Sequence, residues 1–109
     1  MKKQYLALVL IWVIVLTFSP VAPPIRAEEK EVMIENFTFK PKEVVVSAGE
    51  KVIWIQKDRA PHTVTANNGG FNSGRLTKGD EFTHTFSKKG SYDYVCKFHP
   101  AMTGKVIVK

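Results

Sequence analysis

Gly90-Ser91-Tyr92-Asp93-Tyr94-Val95-Cys96-Lys97-Phe98-His99-Pro100-Ala101-Met102-Thr103-Gly104 is the stretch that decides how this chain reads. Tyr92, Tyr94 and Cys96 alternate, as side chains on one face of a strand do. A thiol, an imidazole and a thioether then follow at steps of three. In a tight turn, residues i and i+3 stack on one side. Cys96, His99 and Met102 are therefore expected to face one centre from one short loop. Gly104 is expected to free the backbone for entry into a last strand over residues 105–109, with Val106 and Val108 on one side.

Outward from that stretch the rhythm stays that of strands. Residues 32–37 form a β-rich run followed by Pro41. Residues 43–47 carry Val44-Val45-Val46 and stop at Ala48-Gly49. Residues 51–57 place Val52 and Trp54 on one face and Ile53 and Ile55 on the other. Residues 62–66 are a short Thr/Val run. Residues 67–79 are a loop with Asn68-Gly69-Gly70 and Gly74 as breakers, and Phe71 within it is expected to cover part of the core. Residues 81–86 put Phe82, His84 and Phe86 on one face, and Lys88-Lys89-Gly90 makes a turn. No stretch shows an amphipathic helical period. Short strands separated by turn signals predict an all-β antiparallel sandwich or barrel.

The donor types select the metal. Thiolate and imidazole suit both zinc and copper, whereas a thioether adds little for Zn²⁺ and suits Cu(I). Cys with two His and a weak axial Met is the ligand set of a blue-copper electron-transfer site. His62 offers the second imidazole, at the start of a strand and beside Pro61, which stiffens the loop before it. Spacing does not bring His62 to the centre; the packing of the sandwich has to. Each residue alone has a duller reading: Cys96 as a buried small hydrophobe, Met102 as core filler, a lone His as a surface or core residue. The three-part run after a strand and before a glycine argues against those. His84, on the face of Phe82 and Phe86, reads as structural and not as a ligand.

The 109 residues leave room for one domain. Lys2 and Lys3, an apolar run over residues 5–18, Pro23-Pro24, and Ala27 before Glu28-Glu29-Lys30-Glu31 form the layout of a secretory signal peptide. That run spans 14 residues, short of the roughly 20 a membrane span needs. Residues 1–27 are thus expected to be cleaved, an uncleaved anchor being the alternative, and 28–109 to form the domain. Export places the protein in the periplasm or on the outer face of the cytoplasmic membrane. Loss of Lys2, Lys3 and Arg26 lowers the formal charge from +6 to +3. Such an excess does not indicate nucleic-acid binding; it fits mild attraction to an acidic partner or an anionic membrane surface. Cys96 is the sole cysteine. An unpaired thiolate outside the cytosol is open to oxidation, and a metal would cap it.

The pattern Gly90-x-Tyr92-x-Tyr94-x-Cys96-x-x-His99-x-x-Met102-x-Gly104, with the Pro61-His62 loop, resembles the cupredoxin family. Its Cys-x-x-His-Pro-x-Met run is most similar to amicyanin and plastocyanin-like members, and the likeness extends from about residue 32 to 109. The resemblance implies a Greek-key β-sandwich of about eight strands in two sheets, binding one type 1 copper. It makes His62, Cys96 and His99 the strong equatorial ligands and Met102 the axial one, with the His99 edge exposed in an apolar patch. One departure stands out. Family members often carry Asn directly after the first ligand His, tying the two ligand loops together; this chain has Thr63, whose hydroxyl can still hydrogen-bond.

The function expected on these grounds is one-electron transport between protein redox partners by a monomer without a small-molecule substrate. Pro61, Phe98, Pro100 and Ala101 are candidates for the contact patch, and Arg59 and Lys97 for a basic rim that steers an acidic partner. A copper-binding or delivery module is the alternative. An enzyme ranks low because four protein ligands leave no open position. A zinc-structural domain gives Met102 no purpose.

Overall fold

The computed structural model describes residues 29–109; the leader expected over residues 1–27 lies outside them. Eight strands follow one another: β1 (Glu29–Glu35), β2 (Thr38–Lys40), β3 (Glu43–Val46), β4 (Lys51–Gln56), β5 (Thr65–Ala66), β6 (Glu81–Thr85), β7 (Gly90–Cys96) and β8 (His99–Val108). They form two four-stranded sheets, ordered β2-β1-β4-β6 and β3-β8-β7-β5. The all-β sandwich is therefore as expected, with one difference. β1 pairs with β4 in parallel, and β3 with β8 likewise, so each sheet is mixed and not purely antiparallel. The chain crosses from sheet to sheet between most consecutive strands. Only β1–β2 and β7–β8 are hairpins of neighbours.

The alternation in each strand decides what goes inside. Val32 and Ile34 of β1, and Val52, Trp54 and Gln56 of β4, are fully buried from one sheet; Tyr94 and Cys96 of β7, with Val106 and Val108 of β8, face them from the other. Trp54 sits at the centre, its ring 5.5 Å from that of Tyr94, 5.6 Å from Phe82 and 5.9 Å from Phe71. Each such side chain contributes about 1.5–3 kcal/mol by leaving water. Phe71 does cover the core from its loop, as expected. His84 is half-buried between Phe71 and Phe86, at ring separations of 4.9 and 4.8 Å.

Three local readings change. Residues 32–37 are not one strand. β1 ends at Glu35, and Asn36 and Phe37 turn the chain into β2 with φ of +55° and +56°. The last strand begins at His99, not at 105, and Lys97-Phe98 is the two-residue turn of its hairpin. Gly104 thus lies within β8, opposite Tyr94. Its lack of a side chain serves packing: a Cβ there would fall onto the Tyr94 phenol. The same burial pushes the Tyr94 hydroxyl up to about 12. Both hairpin turns lie at one end of the sandwich, and the site forms between them.

Candidate metal centre

Cys96 closes β7, and the turn Lys97-Phe98 returns the chain so that His99 pairs with it. Opposite Val95 stands Thr103, so Pro100, Ala101 and Met102 are extra residues bulging from β8. A bulge re-aims side chains near a site. Met102 turns inward and is 5% exposed, whereas Pro100 and Ala101 face solvent. A hairpin turn followed by a bulge therefore carries Cys96, His99 and a buried Met102 on one short segment.

His62 arrives from the other side. It precedes β5 and pairs with Leu76 through two backbone hydrogen bonds of 3.1 and 2.7 Å. The turn before it is built around Gln56, buried at the end of β4. Its amide donates to Ala60 O and Leu76 O, and its Oε1 accepts from the Asp58 N–H at 2.7 Å. Sequence reading did not single out Gln56; a glutamine on the inward face of an otherwise apolar strand was the available signal.

The donors meet. The His62 Nδ1 and the His99 Nδ1 each lie 3.6 Å from the Cys96 Sγ. All three ligand atoms fall within 4.8 Å of one another. Bonds of about 2.0 Å to nitrogen and 2.3 Å to sulfur, meeting at roughly 110–120°, produce such a separation. The set fits one metal ion. His62 and Cys96 are fully buried and His99 is partly exposed.

Asp58 fixes the His62 tautomer. Its carboxylate lies 2.8 Å from the His62 Nε2. A carboxylate only accepts, so the proton sits on Nε2 and the Nδ1 lone pair is free for a metal. The same carboxylate accepts the Asn36 N–H at 2.8 Å and the Phe37 N–H at 2.9 Å. Burial would raise the Asp58 carboxyl, but the bonds from Phe37, His62 and Asn36 outweigh it and hold the group below its ordinary value. Phe37 lies edge-on to both ligand imidazoles, 5.3 Å from His62 and 5.0 Å from His99. Neither Asp58 nor Phe37 was foreseen. Asp58 stands four residues before His62, too weak a signal alone, and the Phe37 contacts are long-range.

Thr63 ties the ligand loops in place of the Asn. Its N–H donates to the Cys96 Sγ at 3.4 Å, and its Oγ1 accepts the Lys97 N–H at 2.9 Å. It also lies 3.0 Å from the Thr65 Oγ1, which donates to the Asn72 Oδ1 at 3.2 Å. Asn72 Oδ1 can only accept, so the direction of the chain is forced: Lys97 N–H to Thr63, Thr63 O–H to Thr65, Thr65 O–H to Asn72.

A Cupredoxin-like domain profile matches residues 7–108, and the chain belongs to that family. It is 38% identical over 93 residues to amicyanin of Paracoccus versutus, covering 81% of this chain and 70% of that one. It is 31% identical over 84 residues to a chloroplast plastocyanin of Tetradesmus obliquus, covering 65% and 58%. The solved structure of a purple cupredoxin from Nitrosopumilus maritimus superposes with a TM-score of 0.69 at 32% identity, over 73% of this chain and 99% of that one. Copper is the cofactor that this family and this donor set have in common.

Proposed function

We propose that the protein is an exported blue-copper carrier that moves single electrons between protein partners. The observation that carries this reading is the equal 3.6 Å placement of two imidazole nitrogens about one buried thiol. His62, Cys96 and His99 would hold a type 1 copper, with Met102 as a further, weaker ligand, and copper would supply the one-electron couple. The chain's own residues do the rest. Asp58 keeps the His62 Nδ1 free of its proton. The Thr63 N–H stabilises negative charge on sulfur. Cys96 at the end of β7, His99 in β8, and His62 tied to Leu76 and Asp58 are each held in place by the fold, which would keep the rearrangement on electron transfer small.

Electrons would pass at the His99 end, where Phe98, Pro100 and Ala101 are exposed. Arg59 and Lys97 are exposed too and would steer an acidic partner. Residues 1–27 would be removed on export to the periplasm or outer membrane face, leaving a monomer of residues 28–109. With four protein ligands there is no open position for a substrate, so the protein would not be an enzyme. Delivery of copper requires ligands a recipient can reach; a buried thiol and a buried imidazole oppose it.

Visible and EPR spectra of the Cu(II)-loaded protein test the proposal. An intense blue thiolate-to-copper band with a type 1 EPR signal is expected. A colourless complex would overturn the reading, and rapid loss of copper to a chelator would replace it with delivery.

A further inference from the structure

The hairpin between β1 and β2 has a two-residue turn with positive φ at both positions. Such turns favour Asn followed by Gly, because glycine adopts positive φ without strain. This chain has Asn36, which suits its position, and then Phe37, which does not. A phenylalanine held in the left-handed region, with half of its surface exposed, serves neither the turn nor the core. Strain kept in such a place points to function.

The strain is held by one carboxylate. Asp58 accepts the N–H of Asn36 and of Phe37 and takes the His62 Nε2–H as well. The result sets the Phe37 ring over the gap between the two imidazoles. A partner approaching the His99 edge meets this ring, and Phe98, in the turn just before His99, is half exposed as well. Lys40, Arg59 and Lys97 are exposed at the surrounding turns and strand ends.

We propose that Phe37 is the outer contact of the electron port, touching an apolar, acid-rimmed redox protein, and that Asp58 is the positioning residue that holds it there. The inference rests on the carrier reading above. The step is simple: one electron leaves a reduced copy and enters a one-electron acceptor, no bond forms or breaks, and no proton moves.

Electron self-exchange tests this without a known partner, by NMR line broadening in mixtures of reduced and oxidised copper protein at high salt, where rim charges are screened. Phe37→Gly is expected to keep the visible spectrum and lose no apo-protein stability in urea, since glycine suits the turn. Its self-exchange should fall about tenfold, the effect of a poorer contact on the barrier. Asp58→Ala should slow exchange more in the wild-type background than in the Phe37→Gly background, where only its bond to His62 is left to lose, as groups acting through one another do. Exchange as fast or faster in Phe37→Gly would overturn the proposal. An equal slowing by Asp58→Ala with and without Phe37 would show that Asp58 acts through His62 alone, and would overturn its role. Wild-type protein that shows no self-exchange would defeat the carrier reading itself, and this inference with it.

Discussion

His62 and His99 present the same nitrogen to the same sulfur at the same distance, yet their surroundings differ almost completely. His62 is wholly buried, its far nitrogen is bonded to Asp58, and the residue after it is bonded into both the thiol and the Lys97 amide. The His99 ring is partly exposed, and among the described residues none hydrogen-bonds its far nitrogen. One side of the centre is built as a wall and the other as a window. A carrier needs both: fixed ligands so that little moves, and an edge that a partner can approach.

The strongest test of that contrast removes each imidazole in turn. His99→Gly leaves a gap at the surface, and added imidazole should enter it and restore the coloured copper site. His62→Gly leaves a buried gap beside a carboxylate that has lost its partner. Added imidazole should fail there, and the apo protein should lose about 2–4 kcal/mol in urea denaturation. Equal rescue of the two variants, read from visible absorbance against imidazole concentration, would erase the distinction between wall and window.

The window was far more legible in the sequence than the wall. Cys96, His99 and Met102 are local, and the alternation of Tyr92, Tyr94 and Cys96 announces the strand that carries them. Even there, the hairpin pairing of Cys96 with His99 and the bulge over Pro100–Met102 depend on where β8 starts. The apolar alternation from residue 105 could not reveal that start. The wall is made of contacts distant in sequence. Asp58 reaches amides 22 and 21 residues away, and Thr63 reaches Cys96 and Lys97 across 33 and 34. Asn36-Phe37 reads as strand because an aromatic residue favours strands, and only the pairing of Glu35 with Thr38 shows that it is a turn. The parallel pairings escaped for the same reason, since alternation fixes which face a residue takes but not which strand lies beside it.

A finer cut goes through the wall alone. Thr63→Val keeps the shape but removes the hydroxyl, leaving the Lys97 N–H without its acceptor and Thr65 without its donor. The expected loss is about 1–3 kcal/mol of apo-protein stability, with faster copper release to a chelator, because the turn carrying Cys96 is no longer tied to the one carrying His62. Thr63→Ser should recover most of both. If Thr63→Val matches wild type in urea midpoint and release rate, the clasp contributes nothing and the departure from Asn is neutral.

The third histidine provides the smallest effect and the control. His84 lies away from the centre, packed on Phe71 and Phe86, and burial pushes its pKa below the ordinary imidazole value. The folded state therefore prefers the neutral ring. That preference leaves stability intact above the unfolded value of about 6.5 and erodes it as pH falls from there toward the lower folded value. His84→Gln removes this loss. Urea denaturation of both apo proteins between pH 7 and pH 5 should show wild type losing more stability than the variant as the solution becomes acidic. The other titrating groups are common to both proteins and cancel. Because the ring is only half-buried, the difference should be smaller than the Thr63 effect, and the copper spectrum should not change. A variant that instead shifts the spectrum would mean that the aromatic cluster under β6 reaches the ligands through Tyr94 and β7, and that the wall extends into the core.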